Sequence, residues 1–257
     1  ATIIVTGALT PATILPLLER HFGDWQPPAG QSPPRAAIAA ATGSSGTRVY
    51  LLDRPGAPQT SILAGQLMPS SQAPDRIELN TANDVLGGTF TSRINMNLRE
   101  DKHWSYGARS SLTETRGQRP WLLSAPVQTD KTVESIREIR RELADFLAKR
   151  PITAEEFAKV RNRDVRALSG QYETNAAVSG AIGDIVRFGR ADDYVRTLRA
   201  RLQAQTDAGV RQAAALAFQP DSLTWVIVGD LSKIEAPLRE LGLGSVQVLD
   251  ADGNVLR

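Results

Sequence analysis

Residues 86–110 read LGGTFTSRINMNLREDKHWSYGARS, the densest pattern in the 257-residue chain. Two adjacent glycines, Gly87 and Gly88, mark a break. Residues 90–99 follow as a helix with Ile94, Met96 and Leu98 as its apolar positions. Arg99 falls near the end of that helix, and Tyr106 falls where a strand should begin. A short turn between them would aim a guanidinium and a phenol at the same space. Both groups are donors, and neither is a base or a nucleophile at neutral pH. Such donors suit binding of a substrate carbonyl or stabilisation of an oxyanion. The plainer reading pairs Arg99 with Glu100 or Asp101 at the surface and makes Tyr106 a half-buried strand residue. Spacing alone favours the plainer reading.

Downstream, residues 106–115 and 121–128 read as a hairpin. Asp130 is placed to cap a long helix whose face is Val133, Ile136, Ile139, Leu143, Phe146 and Leu147, with Pro151 as its stop. Thr153 and Glu156 form a capping box for the next helix, which carries Phe157, Val160 and Leu168. Helical stretches follow at about 174–188, 192–203 and 206–218. The chain then runs strand, helix, strand over 223–228, 231–241 and 245–249. Upstream of the glycines, 74–86 reads as a helix with Ile77, Leu79 and Val85 apolar. Before it, strands at 48–53 and 59–66 are joined by the turn Arg54-Pro55-Gly56. Residues 26–46, QPPAGQSPPRAAIAAATGSSG, have the composition of a linker. At the start, 2–6 reads as a short buried strand ended by Gly7. Thr10-Pro11 then opens a helix with Ile14, Leu17, Leu18 and Phe22 on one face, and Gly23 stops it.

The two ends of the chain resemble each other. Residues 3–23 read IIVTGALTPATILPLLERHFG and residues 225–244 read WVIVGDLSKIEAPLRELGLG. Each is an apolar strand, a Gly, a hydroxyl cap and an amphipathic helix that contains a Pro. Gly7 and Gly229 lie 222 residues apart (229 − 7). The reading is a repeat of about 220 residues. Residues 1–25 are then the tail of a preceding homologous unit, 26–46 the linker, and 47–257 one whole unit. A chain that opens on Ala inside an apolar run reads as a fragment or a processed form.

Composition narrows the function. Hydrophobic residues at 41% and charged residues at 23% describe an ordinary globular domain. No apolar run approaches the ~18 residues of a membrane-spanning helix. Cysteine is absent, which excludes disulfides and thiolate metal sites and leaves the compartment open. The net charge is only +2 and aromatics are 5%, so a basic groove with interleaved aromatics for nucleic acid is not expected. The arginine runs at 137–141 and 161–166 read as solvated helix faces. TGSSGTR at 42–48 lacks the Gly-Lys-Ser/Thr of a phosphate loop. The two histidines, His21 and His103, belong to no metal motif, and Glu100 with His103 is too small a set for a closed site.

The central stretch resembles the C-terminal-half signature of the M16 (pitrilysin-like, inverzincin) metallopeptidases. In that family a Gly-Gly segment precedes a Ser-Arg-Leu-like helix, then Leu-Arg-Glu-Lys, with a Tyr seven residues after the Arg. Here these are Ser92-Arg93-Ile94, Leu98-Arg99-Glu100 and Tyr106. The likeness extends to His21-Phe22-Gly23-Asp24-Trp25 and to Pro220-Asp221-Ser222-Leu223 before WVIVGD. It departs at His103-Trp104-Ser105-Tyr106, where the family has Gly-Leu-Ala/Ser-Tyr. The zinc motif, His-x-x-Glu-His, is missing. The resemblance implies an α+β fold: an antiparallel-dominated sheet of five or six strands packed by helices on one face, as in one half of an M16 peptidase clamshell. It implies that Arg99 and Tyr106 contact substrate backbone and support the tetrahedral intermediate at a zinc held by another half. On that reading this chain carries no cofactor and is not catalytic alone. Its partners are the zinc-binding half, on the same or a separate polypeptide, and a peptide substrate. The alternative is a non-peptidase scaffold or peptide-binding subunit of the same fold. A periplasmic setting is carried by the resemblance only.

Overall fold

The computed structural model describes residues 1–26, 38–43 and 45–257. Most of the 26–46 linker, including Ser44 of the TGSSGTR segment, therefore lies outside the described residues. The elements run α1 (Pro11–Phe22), β1 (Arg48–Asp53), β2 (Gln59–Met68), α2 (Arg76–Asn83), α3 (Arg93–Asn95), β3 (Arg109–Leu112) and β4 (Arg119–Gln128). They continue with α4 (Thr132–Leu147), α5 (Ala154–Ala167), α6 (Asn175–Phe188), α7 (Tyr194–Ala204), α8 (Asp207–Ala217), β5 (Thr224–Gly229), α9 (Leu231–Glu240) and β6 (Ser245–Leu249). The strands form one six-stranded sheet in the order β3-β4-β2-β5-β1-β6. β1 pairs in parallel with both β5 and β6, and the other three pairings are antiparallel. The α+β class with an antiparallel-dominated sheet is the one expected.

Strict alternation along the strands makes the sheet one-sided. In β4, Trp121, Leu123, Ala125 and Val127 are buried, while Leu122 and Gln128 are exposed. Register aligns the buried residues across strands: Leu51 with Ile227, Ile227 with Ile62, and Ile62 with Ala125. Onto that face pack Ile136, Ile139, Leu143 and Phe146 of α4, with Ile234 and Leu238 of α9. Trp121 meets Phe218 edge-on at 5.4 Å between ring centres. On the other face Leu63, Leu67 and Leu122 are 40–50% exposed.

The glycine pair does not break the helix. α2 runs on as a π-helical turn over Asp84–Gly88, and the chain leaves the helix only at Thr89. The next helix starts at Arg93, later than Phe90, because Ser92 takes an extended conformation as its N-cap. It too ends in a π-helical turn, Met96–Asp101. β3 starts at Arg109, so Tyr106 precedes the strand. Asp130 does not cap α4. A short 3₁₀ turn over Thr129–Lys131 comes first, Thr132 donates to the Thr129 carbonyl at 2.8 Å, and Asp130 faces Lys131 instead. The Thr153–Glu156 capping box is present in both directions.

Residues 2–6 are not a strand here. Among the described residues no strand pairs with them, and Ile3 and Val5 stay exposed. An apolar run supplies one side of a ladder, and without a partner its backbone groups stay with water or side chains. A side chain of the segment reaches α6: the Thr6 hydroxyl donates to the Asn175 carbonyl at 3.1 Å. α1 forms as expected, capped by Thr10 with Pro11 in its first turn, but buries none of its residues.

Two buried amides tie the β3–β4 hairpin to the helical segment above it. The Asn83 side-chain oxygen accepts from the Trp121 indole at 2.9 Å and the Ser110 hydroxyl at 2.7 Å. Asn95 donates to the Phe90 carbonyl at 2.6 Å and accepts from the Ala108 amide at 2.9 Å. This closeness explains Gly87. A Cβ there would lie 2.4 Å from Ser110 Oγ and 3.1 Å from its backbone nitrogen. Gly87→Ala should therefore destabilise the chain by about 1–3 kcal/mol, as overpacking does. At Gly107 the nearest atom to an added Cβ is Asn95 Oδ1 at 3.8 Å. Gly107→Ala should stay within about 0.5 kcal/mol of the parent. Urea denaturation of both variants checks the pair, and equal losses would contradict the packing described.

Candidate functional site

The site is built on α3 and its π-helical turn. Arg93 fastens that helix to the α4–α5 connection. Its guanidinium makes two bonds of 2.7 Å to the Glu156 carboxylate, one of 3.0 Å to the Pro151 carbonyl, and another to the Arg150 carbonyl. Burial pushes the Glu156 carboxyl up, but the bonds from Arg93 and Thr153 outweigh it and hold the group below the usual carboxylate range. Asn97 adds two bonds to α4, to Glu138 at 2.7 Å and Glu142 at 2.8 Å. Arg93, a member of the motif, is thus a structural clamp. Arg99, further along in the π-helical turn, is left partly exposed at the surface.

Arg99 does make the surface pair that spacing favoured, Nε to Glu100 Oε1 at 3.5 Å. Its guanidinium also stacks over the Phe90 ring, 4.6 Å from the ring centre. Tyr106 departs from the plainer reading. It is 87% exposed and lies in a loop.

The path between the two explains how the departure at 103–106 is accommodated. His103 has φ +57°, the left-handed conformation that a glycine adopts without strain. It closes the π-helical turn: the Lys102 amide reaches the Asn97 carbonyl at 3.0 Å and the Trp104 amide reaches the Leu98 carbonyl at 2.9 Å. His103 Nδ1 lies 3.1 Å from the Arg99 carbonyl, so this ring serves the helix end. Trp104 packs on the core, under Lys102. The Ser105 hydroxyl lies 2.5 Å from the Pro126 carbonyl and accepts from the Gly107 amide at 3.1 Å. Ser105 also bridges to Val127 across the sheet edge. Anchored before and after, Tyr106 is the residue that points outward.

A cavity of about 540 Å³ opens beside it, lined by Thr89, Phe90, Tyr106, Arg109, Ser124 and Pro126 among others. Arg99 and Tyr106 share no hydrogen bond. Phe90 links them, stacked on one and sharing the cavity wall with the other. Phe90 and Asn95 are the site residues that sequence reading missed. Phe90 read as the start of a helix; it is a 63% exposed loop aromatic. Asn95 carried a signal, a short amide inside an apolar helix, which competes for backbone groups. A larger opening of about 590 Å³ lies over the exposed sheet face along Leu63, Leu67, Leu122 and Val226. Its only charged lining residue among those described is Arg48, so it offers little chemistry. Among the described residues no group of three or more His, Cys, Asp or Glu is placed to hold a metal. No described helix is long and apolar enough to cross a membrane.

The family model of the peptidase M16 inactive domain matches residues 1–163. A search of curated protein sequences finds no match. Solved structures share the architecture. The peptidase M16 inactive domain from Pseudomonas fluorescens is 21% identical, with 76% of this chain and 46% of that chain covered and a TM-score of 0.69. A protease from Helicobacter pylori is 17% identical, with 86% and 53% covered and a TM-score of 0.76. A periplasmic protease from Escherichia coli is 16% identical, with 87% and 24% covered and a TM-score of 0.71. These likenesses concern the fold, and the chain spans about half the length of the first two. With well over half of its residues matched, the chain belongs to the peptidase M16 inactive domain family.

Proposed function

We propose that this chain is the zinc-free wall of an M16-type peptidase chamber, with Tyr106 and Arg99 directed at a peptide bound to the zinc of a partner half. The observation that carries the proposal is the exposure of Tyr106 on a braced loop. A phenol 87% open to solvent, beside a cavity and next to the Arg99–Phe90 stack, contributes little to the core and is free to meet a ligand. Arg99 keeps its terminal nitrogens free of hydrogen bonds among the described residues while its Nε faces Glu100. The phenol and guanidinium would donate to the carbonyl oxygen of the scissile peptide as it gains charge. Water activation is left to the zinc half, on the same polypeptide or a separate subunit. Residues 1–25 are read as the tail of a preceding unit, 26–46 as a linker and 47–257 as the whole unit. The absence of buried residues in α1 supports that division.

In the assembly with a zinc-binding half, Tyr106→Phe should lower kcat roughly 100- to 1000-fold, equivalent to about 2.7–4 kcal/mol, with little change in KM. The ring is retained and only the donor is lost. Arg99→Ala should impair both parameters, because a carbonyl contact exists before and during reaction. Neither change should move the melting temperature, since both groups are at the surface. Steady-state kinetics on a short fluorogenic peptide, with zinc content measured in parallel, is the test. Parental turnover by Tyr106→Phe at full zinc would reject the role and leave the scaffold or peptide-binding subunit as the reading.

The division of the chain has its own check. Removal of residues 1–35 should leave a single cooperative thermal transition for the remainder. Loss of that transition would place the boundary elsewhere.

A further inference from the structure

A second charged site lies at the other end of α2. Arg76 opens that helix, Arg190 sits in the turn between α6 and α7, and Arg201 is on α7. All three guanidinium carbons gather around one ring, lying 5.6, 4.7 and 5.1 Å from the centre of Tyr194. Arg76 also donates to the Tyr194 hydroxyl. One carboxylate contacts the group. Glu114 meets Arg190 at 2.9 Å, Arg76 at 3.3 Å and the fully buried Arg119 at 3.4 Å. Asp75 and Asp184 act on Arg119 and Arg190 only from a distance. Three guanidiniums therefore share one contacting carboxylate, and Arg201 stands beside them without one. One terminal nitrogen of Arg119 has no hydrogen-bond partner among the described residues. Burial, and after it the charge on Arg76, weakens the hold of Arg190 on its proton.

Fastening α6 and α7 to the hairpin accounts for the Glu114 pairs. It does not account for Arg201, which forms no ion pair among the described residues and adds a further positive charge to a crowded set. A cavity of about 230 Å³ lies among these groups, lined by Ser71, Gln72, Arg76, Arg190, Tyr194 and Arg201. That is below the roughly 300 Å³ at which sites for drug-sized ligands begin, so the occupant is small. Guanidiniums present rigid forks of donors matched to oxyanions. A planar carboxylate satisfies one or two forks, whereas forks arriving from three directions fit a tetrahedral anion.

We propose that this cavity binds a small multivalent oxyanion of the phosphate type. The site is separate from the Tyr106 cavity. Cavity-lining residues Arg76 and Gly88 mark opposite ends of α2 and its π-helical extension, roughly 16–18 Å apart along the helix axis. The proposal therefore stands whether or not the peptidase reading does.

The test uses the full chain and inorganic phosphate, with sodium chloride at matched ionic strength as the reference. Phosphate at about tenfold excess over its Kd should raise the melting temperature by roughly 3–6 °C above the chloride value, saturably. Arg201→Gln removes no ion pair, so it should keep the parental melting temperature in chloride and lose the phosphate-dependent rise. The ³¹P resonance of phosphate should broaden with the parent chain and stay narrow with Arg201→Gln, a readout independent of stability. An equal rise in chloride, an equal rise in the variant, or a ³¹P line that the parent chain leaves unbroadened would each overturn the proposal.

Discussion

The side-chain oxygen of Asn83 is the point on which the sheet and the site both depend. It accepts from the Trp121 indole on β4 and from the Ser110 hydroxyl on β3. All three residues are buried, so no water can replace a lost partner, and a polar group stranded there costs about 1–3 kcal/mol. The bonds fix the height of the hairpin under α2. That height brings β3 against Gly87, sets the place where the chain leaves the helix, and leaves Asn95 to close the gap between Phe90 and Ala108. The cavity beside Tyr106 is the space that remains between those two tied loops.

Much of the fold was legible because period-2 burial is written directly into the strands. Val49 and Leu51, Ile62 and Ala64, Trp121, Leu123 and Ala125 alternate with outward residues, and each becomes a buried row. The capping box at Thr153 was legible because it is local. The errors are non-local. A π-helical turn differs from an α-helix only in which carbonyl an amide reaches, and composition does not encode that choice. Gly87-Gly88 read as a break when its function is close approach. Tyr106 read as a strand residue because tyrosine suits strands. What moves it outward is the bonding of Ser105 to Pro126 and Gly107 on either side. Residues 2–6 read as a strand because an apolar run says nothing about whether a partner is available.

The arginine distribution shows the same limit. The arginine runs at 137–141 and 161–166 read as solvated helix faces. Arg93 and Arg119, outside those runs, are drawn into the structure. One is spent on the α4–α5 connection, and the other lies wholly inside, donating to the Pro69 carbonyl at 3.0 Å and Asn80 at 2.8 Å. Arg163 likewise leaves its run to pair with Asp84, whose carboxyl burial pushes up against the pull of that arginine. Positions as far apart as 76, 119, 190 and 201 meet only after the hairpin and the α6–α7 turn have been folded together, so no window of sequence contains the cluster.

The bracing of the loop from His103 to Ala108 has a thermodynamic consequence. Fixing a residue's backbone costs roughly 1–2 kcal/mol in entropy. For Ser105, Gly107 and Ala108 that ordering accompanies folding, through bonds to Pro126 and Asn95 and within the turn itself. A ligand that meets the phenol of Tyr106 therefore has little more than the side chain's own rotamers to immobilise. The loop is preorganised, and the entropic penalty of association falls on the incoming molecule.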